Sequence, residues 1–260
     1  MLPPWTLHLD VLGVAALAIA LYEYAARRVE NPRRRQRAAW YSGVVLVLAV
    51  SYWPIHDLAE ESLFSVHMVQ HMTYTLLAPP LLLLGMTRKL ADVTIARPSL
   101  LRFVKPLAHP FVAFVLFNVT LVVTHWPKVV NLAIGNEFFH LSVHIWLVIT
   151  AVLAWIPVAS PTPALPRLRP AMQILYLFFQ SILPNVPASF LTFSKVQLYT
   201  AYGDGALAFG LTPVADQAIA GLIMKLGGTF IIWGAMTFVW FRWTASEQRW
   251  EAIEHDLRRA

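Results

Sequence analysis

No cysteine occurs among the 260 residues, which excludes disulfides, CxxC redox chemistry, iron–sulfur clusters and thiolate-based copper chaperoning. Any metal would have to be held by His, Met, Asp or Glu. Charge is scarce as well: 13% of residues are charged and 58% hydrophobic, against roughly a quarter charged and under half apolar in soluble domains. A soluble globular chain is thereby excluded. The sequence also lacks internal repeats, low-complexity tracts, a Gly-rich phosphate loop and the GxSxG and HExxH patterns, so nucleotide binding and ordinary hydrolase chemistry have no support. From Met1 to Asp10 there is no basic n-region, and the first apolar stretch has no small-residue cleavage pattern before Tyr22 and Glu23. It reads as a retained helix rather than a signal peptide.

What the chain does have is long apolar runs. They predict seven transmembrane helices at about Leu7 to Ala26, Ala38 to Trp53, Phe64 to Met86, Leu107 to Trp126, Phe138 to Val158, Ala171 to Phe193 and Val214 to Phe241. A helix satisfies its own backbone in lipid, whereas a barrel would need period-2 alternation that is missing here. Pro79 and Pro80 interrupt the third run, and Pro184 and Pro187 the sixth, which predicts kinks. Basic residues sort into alternate connections: Arg27, Arg28, Arg33, Arg34, Arg35 and Arg37 in the first, Arg88, Lys89, Arg97, Arg102 and Lys105 in the third, Arg167 and Arg169 in the fifth. The positive-inside rule then makes these cytoplasmic, with the N-terminus extracytoplasmic and the C-terminus cytoplasmic. That arrangement requires an odd number of crossings. The expected fold class is an all-α membrane protein, with residues 1–243 as one seven-helix domain. Residues 244–260 would be a cytoplasmic amphipathic tail, a short interfacial helix with Trp243, Trp250, Ile253 and Leu257 at helical spacing along the last stretch. The net charge of +6 belongs to this topology and does not point to nucleic acid.

Nine histidines are present, and the expected topology places most of them on one side. His56 follows the second helix, His67 and His71 open the third, His125 closes the fourth, and His140 and His144 open the fifth. His8 lies on the same side, whereas His109 and His255 do not. A lone histidine at a helix end reads as an interfacial or hydrogen-bonded side chain. The pairs His67/His71 and His140/His144 are different, because i, i+4 spacing projects both imidazoles from one helical face at matching depth. Such a cluster in a membrane domain predicts a metal or haem site. Glu137 shares the stripe of His140 and His144, while Met68 and Met72 stand beside the His67 stripe. Asp216 and Met224 occupy adjoining stripes of the seventh helix. Imidazole with thioether favours copper, especially Cu(I). Lys225, an apparent mid-helix cation, has no account at this level.

Several of these segments occur together in a recognisable order: His67-Met68-Val69-Gln70-His71-Met72 followed by Ala78-Pro79-Pro80, then His125-Trp126-Pro127, His140-Leu141-Ser142-Val143-His144, and Asp216-Gln217 with Gly221-Leu222-Ile223-Met224. With them the chain resembles the CtaG-type cytochrome c oxidase assembly factors, a multi-helix family associated with bacterial haem–copper oxidases. The resemblance spans nearly the whole chain. It departs after Met224, where Lys225, Leu226 and Gly227 stand in place of an expected aromatic residue and proline.

The resemblance implies a non-catalytic role in maturing cytochrome c oxidase by supplying or inserting copper, in the bacterial inner membrane. The candidate ligands are His67, His71, His140, His144, Asp216, Met224 and His125, with Met68, Met72, Glu137 and His56 as further candidates. Expected partners are oxidase subunits, membrane lipid and a periplasmic copper donor, and a homodimer is compatible. Two other functions fit the residues. One is a b-type haem electron carrier with His71 and His144 as axial ligands. The other is a zinc-dependent membrane hydrolase with three imidazoles on zinc and Asp216 as base.

Overall fold

In a computed structural model, which describes residues 3–259, the chain is helical throughout with no strand among the described residues. Met1, Leu2 and Ala260, at the outer ends of the two expected domains, lie outside the described residues. Four helical segments are long and apolar enough to cross a membrane: Leu9–Arg28, Glu137–Ala159, Pro170–Phe193 and Pro213–Arg259. Counting each of two bent pairs as one span raises the number to six. These pairs are α2 (Arg34–Ser51) with α3 (Ile55–Glu61), bent by 49°, and α7 (Pro98–Leu107) with α8 (Pro110–Thr124), bent by 74°.

One further run is continuously helical but interrupted by polar residues, and it is not among these candidate spans. It comprises α4 (Phe64–Met72), a π turn (Thr73–Leu77) and α5 (Ala78–Leu84), a length of about 30 Å at the helical rise. His67, Gln70, His71, Thr73 and Thr75 are all buried within it, and this polar stripe is what lowers its hydropathy. The prolines explain its irregularity. Pro79 has no N–H to give the Thr75 carbonyl, and the Trp155 indole donates to that oxygen instead at 2.9 Å. The ladder resets through a π turn, in which the Ala78 amide bonds Thr73. A second π turn (Ile223–Gly227) joins α13 (Pro213–Leu222) to α14 (Gly228–Arg259). In the sixth run, α11 (Pro170–Ile182) ends before Pro184, and α12 (Asn185–Phe193) starts immediately after it.

Two boundaries differ from the sequence expectation. The tail continues α14, which runs unbroken to Arg259. The residues after Phe241 are good helix formers with no Gly or Pro to stop them, and pairs such as Arg258–Glu254 at 3.6 Å support them. The connection before the fourth helix is itself helical. In α7 no residue is buried; Leu100, Phe103 and Leu107 form an exposed apolar stripe opposite Arg102 and Lys105.

The core falls into three clusters. One joins α1 (Leu9–Arg28) to α2 through Tyr22 stacked on Trp40 at 4.0 Å, with the Tyr22 hydroxyl donating to the Gly85 carbonyl at 2.9 Å. A second, around Trp155, Tyr176 and Ile232, packs α10 (Glu137–Ala159), α11 and α14. The third holds Phe64, Met68, Met72, Phe117, Leu147 and Met224. It lies directly beneath the histidines. Helices α12 and α13 approach closely at Gly221, where an added Cβ would stand 2.5 Å from the Thr192 hydroxyl and 2.7 Å from the Ala188 carbonyl.

Candidate metal centre

Helices α4 and α10 each carry two imidazoles at i, i+4, and packing turns both pairs toward one another. His144 Nε2 lies 3.0 Å from His71 Nε2 and 3.0 Å from His140 Nε2. The His67 ring completes the group, with its centroid 4.3 Å from that of His71 and 5.4 Å from that of His144. Nitrogens of His67, His140 and His144 can all be chosen within 4.8 Å of one another. A ring nitrogen has one in-plane position, holding either a proton or a lone pair. His144 Nε2 therefore cannot make a full hydrogen bond to both neighbours at once. A cation among them resolves the conflict by taking each lone pair as a ligand. Two nitrogens about 2.0 Å from one ion at a tetrahedral angle stand roughly 3.3 Å apart, close to the separations seen.

Glu60, at the end of α3, supplies the carboxylate. Its Oε2 accepts from His140 Nδ1 at 2.9 Å, and its Oε1 faces His67 Nδ1 at 3.6 Å. The first contact places the His140 proton on Nδ1 and leaves Nε2 with its lone pair toward His144, the usual arrangement of a carboxylate behind a metal-binding histidine. Glu60 Oε1, His67 Nδ1 and His71 Nδ1 are buried without hydrogen-bond partners, a concentration of unsatisfied polar atoms that fits a site built for an ion.

The other candidates occupy distinct places. His125 adjoins the cluster, its ring 5.4 Å from that of His71, and its Nδ1 bonds the Leu121 carbonyl at 2.7 Å. Met68, Met72 and Met224 are buried side by side in the underlying core. Asp216 faces another way: it accepts from the Phe64 amide at 2.7 Å and from the Ser65 amide and hydroxyl. It therefore caps the first turn of α4, satisfying amides that the helix leaves free. Glu137 is exposed in the first turn of α10. His56 lies one layer away, 3.4 Å from the Gln70 amide nitrogen and edge-on to His8, whose Nε2 meets Asp57 at 3.1 Å. Glu60 was not singled out by the sequence reading; its sequence signal is an acid one turn of connection ahead of the first HxxxH pair.

The family model for the cytochrome c oxidase caa3 assembly factor (Caa3_CtaG) matches residues 18–246. The chain belongs to that family. The caa3 assembly factor match takes in α2 through α13 entire, and with them every member of the histidine cluster and Glu60. No curated protein and no solved structure matches the chain.

Proposed function

We propose that this caa3 assembly factor binds copper, as Cu(I), among His67, His71, His140 and His144 and passes it to the oxidase by ligand exchange, without catalysing a reaction of its own. The observation that carries the reading is the convergence of three imidazole Nε2 atoms at 3.0 Å contacts with Glu60 behind His140. Neutral imidazoles backed by neighbouring thioethers suit Cu(I) better than a hard ion. The positive-inside pattern supports a site at the extracytoplasmic end of a seven-span bundle in the bacterial inner membrane. The run Phe64–Leu84 then counts as a span despite its polar stripe. In that orientation the site can receive copper from a periplasmic donor and meet the oxidase on the same face.

The two other chemistries fit the geometry less well. Axial imidazoles of a haem hold their nitrogens about 4 Å apart with the porphyrin between them, whereas His71 and His144 nearly touch. A hydrolase would lack its expected base, because Asp216 is committed to the amides of α4.

Copper content of anaerobically purified protein, measured beside oxidase copper in a deletion strain, tests the proposal. Stoichiometric copper that is lost on His67→Ala and His144→Ala substitution, with copper-poor oxidase in the deletion strain, is expected. Purified protein that binds no Cu(I), together with fully metallated oxidase in the deletion strain, would overturn it.

A further inference from the structure

Beneath the imidazoles lies a cavity of about 50 Å³, lined among others by Met68, Met72, His125, Met224 and Lys225. His71 and His125 line both this cavity and the smaller space among the imidazoles, so the two adjoin at these side chains. Three features set it apart from an ordinary packing gap. Both π turns border it: Thr75 and Leu76 belong to the first, Met224 and Lys225 to the second. Such turns are rare and gather at functional sites. Met72 directly precedes the first turn, and its Cε would lie 3.3 Å from a Cβ placed on Gly227. Glycine at that position leaves the thioether its room. His125, finally, has one ring nitrogen fixed: Nδ1 donates to the Leu121 carbonyl at 2.7 Å, which leaves the Nε2 lone pair free.

We propose that this cavity is a second station for a soft monovalent cation, held by the thioethers of Met72 and Met224 and by His125 Nε2, with Met68 beside them. All of these donors are neutral and soft, the set that selects Cu(I) or Ag(I) over divalent ions. Lys225 sharpens the choice of charge. Its ammonium sits 5.6 Å from the Phe193 ring centroid, drawn aside as a cation over an aromatic face, while the side chain still lines the cavity. The fixed positive charge disfavours a divalent ion more than a monovalent one and keeps occupancy weak. An ion can therefore return to the imidazoles. The two stations form a relay in which nitrogen ligands exchange stepwise for sulfur ligands, with no change of oxidation state. The inference rests on the copper reading for the identity of the physiological ion, but the station itself is testable with Cu(I) alone.

The experiment loads the full chain in lipid nanodiscs anaerobically, with Cu(I) supplied in competition with a chromophoric chelator, and reads the ligands by copper X-ray absorption. Wild type should take two ions, with sulfur scattering that grows as the second binds. Met72→Leu combined with Met224→Leu, a swap that nearly conserves volume, should leave one ion and only nitrogen scattering. His67→Ala combined with His140→Ala should leave the sulfur-bound ion, and Lys225→Gln should tighten the second ion by about tenfold. Sulfur scattering unchanged in the double-methionine variant overturns the second station. So does a wild type that holds one ion on nitrogen alone, although that result leaves the imidazole site standing. Wild type that binds no Cu(I) overturns both.

Discussion

At the scale of single residues, the clearest division is between two carboxylates, the partly buried Glu60 and the buried Asp216. Glu60 backs His140, so Glu60→Gln should weaken Cu(I) binding by about 10–100-fold in a chelator competition while thermal unfolding stays near wild type. Asp216 caps α4, so Asp216→Asn should have the opposite signature. Its loss leaves buried amides without a charged acceptor, at a cost of about 1–3 kcal/mol, read as a lower unfolding temperature in detergent with copper stoichiometry intact. Copper lost from a folded Asp216→Asn protein would return Asp216 to the metal site. The sequence made these two acids hard to tell apart. Histidine pairs at i, i+4 announce a shared face because helical periodicity is local, and both pairs do converge. Which acid reaches that face depends on how α3 and α13 dock against α4, and no spacing records it. Glu137 shares the stripe of His140 and His144 yet points to solvent at the helix start, whereas Glu60 reaches the same imidazole from another helix.

Among the elements, apolar runs located the helices well, while their internal breaks and the amphipathic connection were only partly visible. Prolines foretold the interruptions in the third and sixth runs, but the π turn at Ile223–Gly227 contains no proline and left no comparable mark. Close approach of α12 and α13 depends on Gly221. Gly221→Val must displace the Ala188 carbonyl and Thr192, and overpacking of this kind costs about 1–3 kcal/mol or more. The expected result is a clear fall in unfolding temperature, together with weakened copper binding because α13 carries the cap of α4. Helix α7 permits a second test. Its 74° bend from α8 and its exposed stripe of Leu100, Phe103 and Leu107 opposite Arg102 and Lys105 suit a helix lying in the membrane surface with its basic face toward lipid phosphates. A polarity-sensitive fluorophore on Phe103→Cys should report apolar surroundings, and the same label on Lys105→Cys, on the opposite face, aqueous ones. Equal aqueous signals would mean that α7 stands away from the bilayer.

For the whole molecule, the decisive quantity is the parity of crossings. Helix length and apolarity alone give four spans, or six with the bent pairs; the charge alternation asks for seven, with the polar run Phe64–Leu84 included. These counts differ in parity, so they disagree about whether the two ends of the chain share a side. The connection between α12 and α13 belongs to the histidine end, because Tyr199 and Tyr202 donate to the carbonyls of His125 and Ala59. A chain without cysteine lets each position be labelled singly. In intact spheroplasts an impermeant maleimide should reach Pro4→Cys and Lys195→Cys at once. Arg249→Cys should react only after permeabilisation, in keeping with the excess of arginine on its side. Simultaneous labelling of Pro4→Cys and Arg249→Cys would make the number of crossings even. Protection of Lys195→Cys would place the histidines toward the cytoplasm, where a periplasmic donor could not load them. The first result would revise the number of crossings alone; the second would remove the geometric basis for receiving and releasing copper on one outer face, since a cluster confined to one end of the bundle can serve only the compartment that end meets.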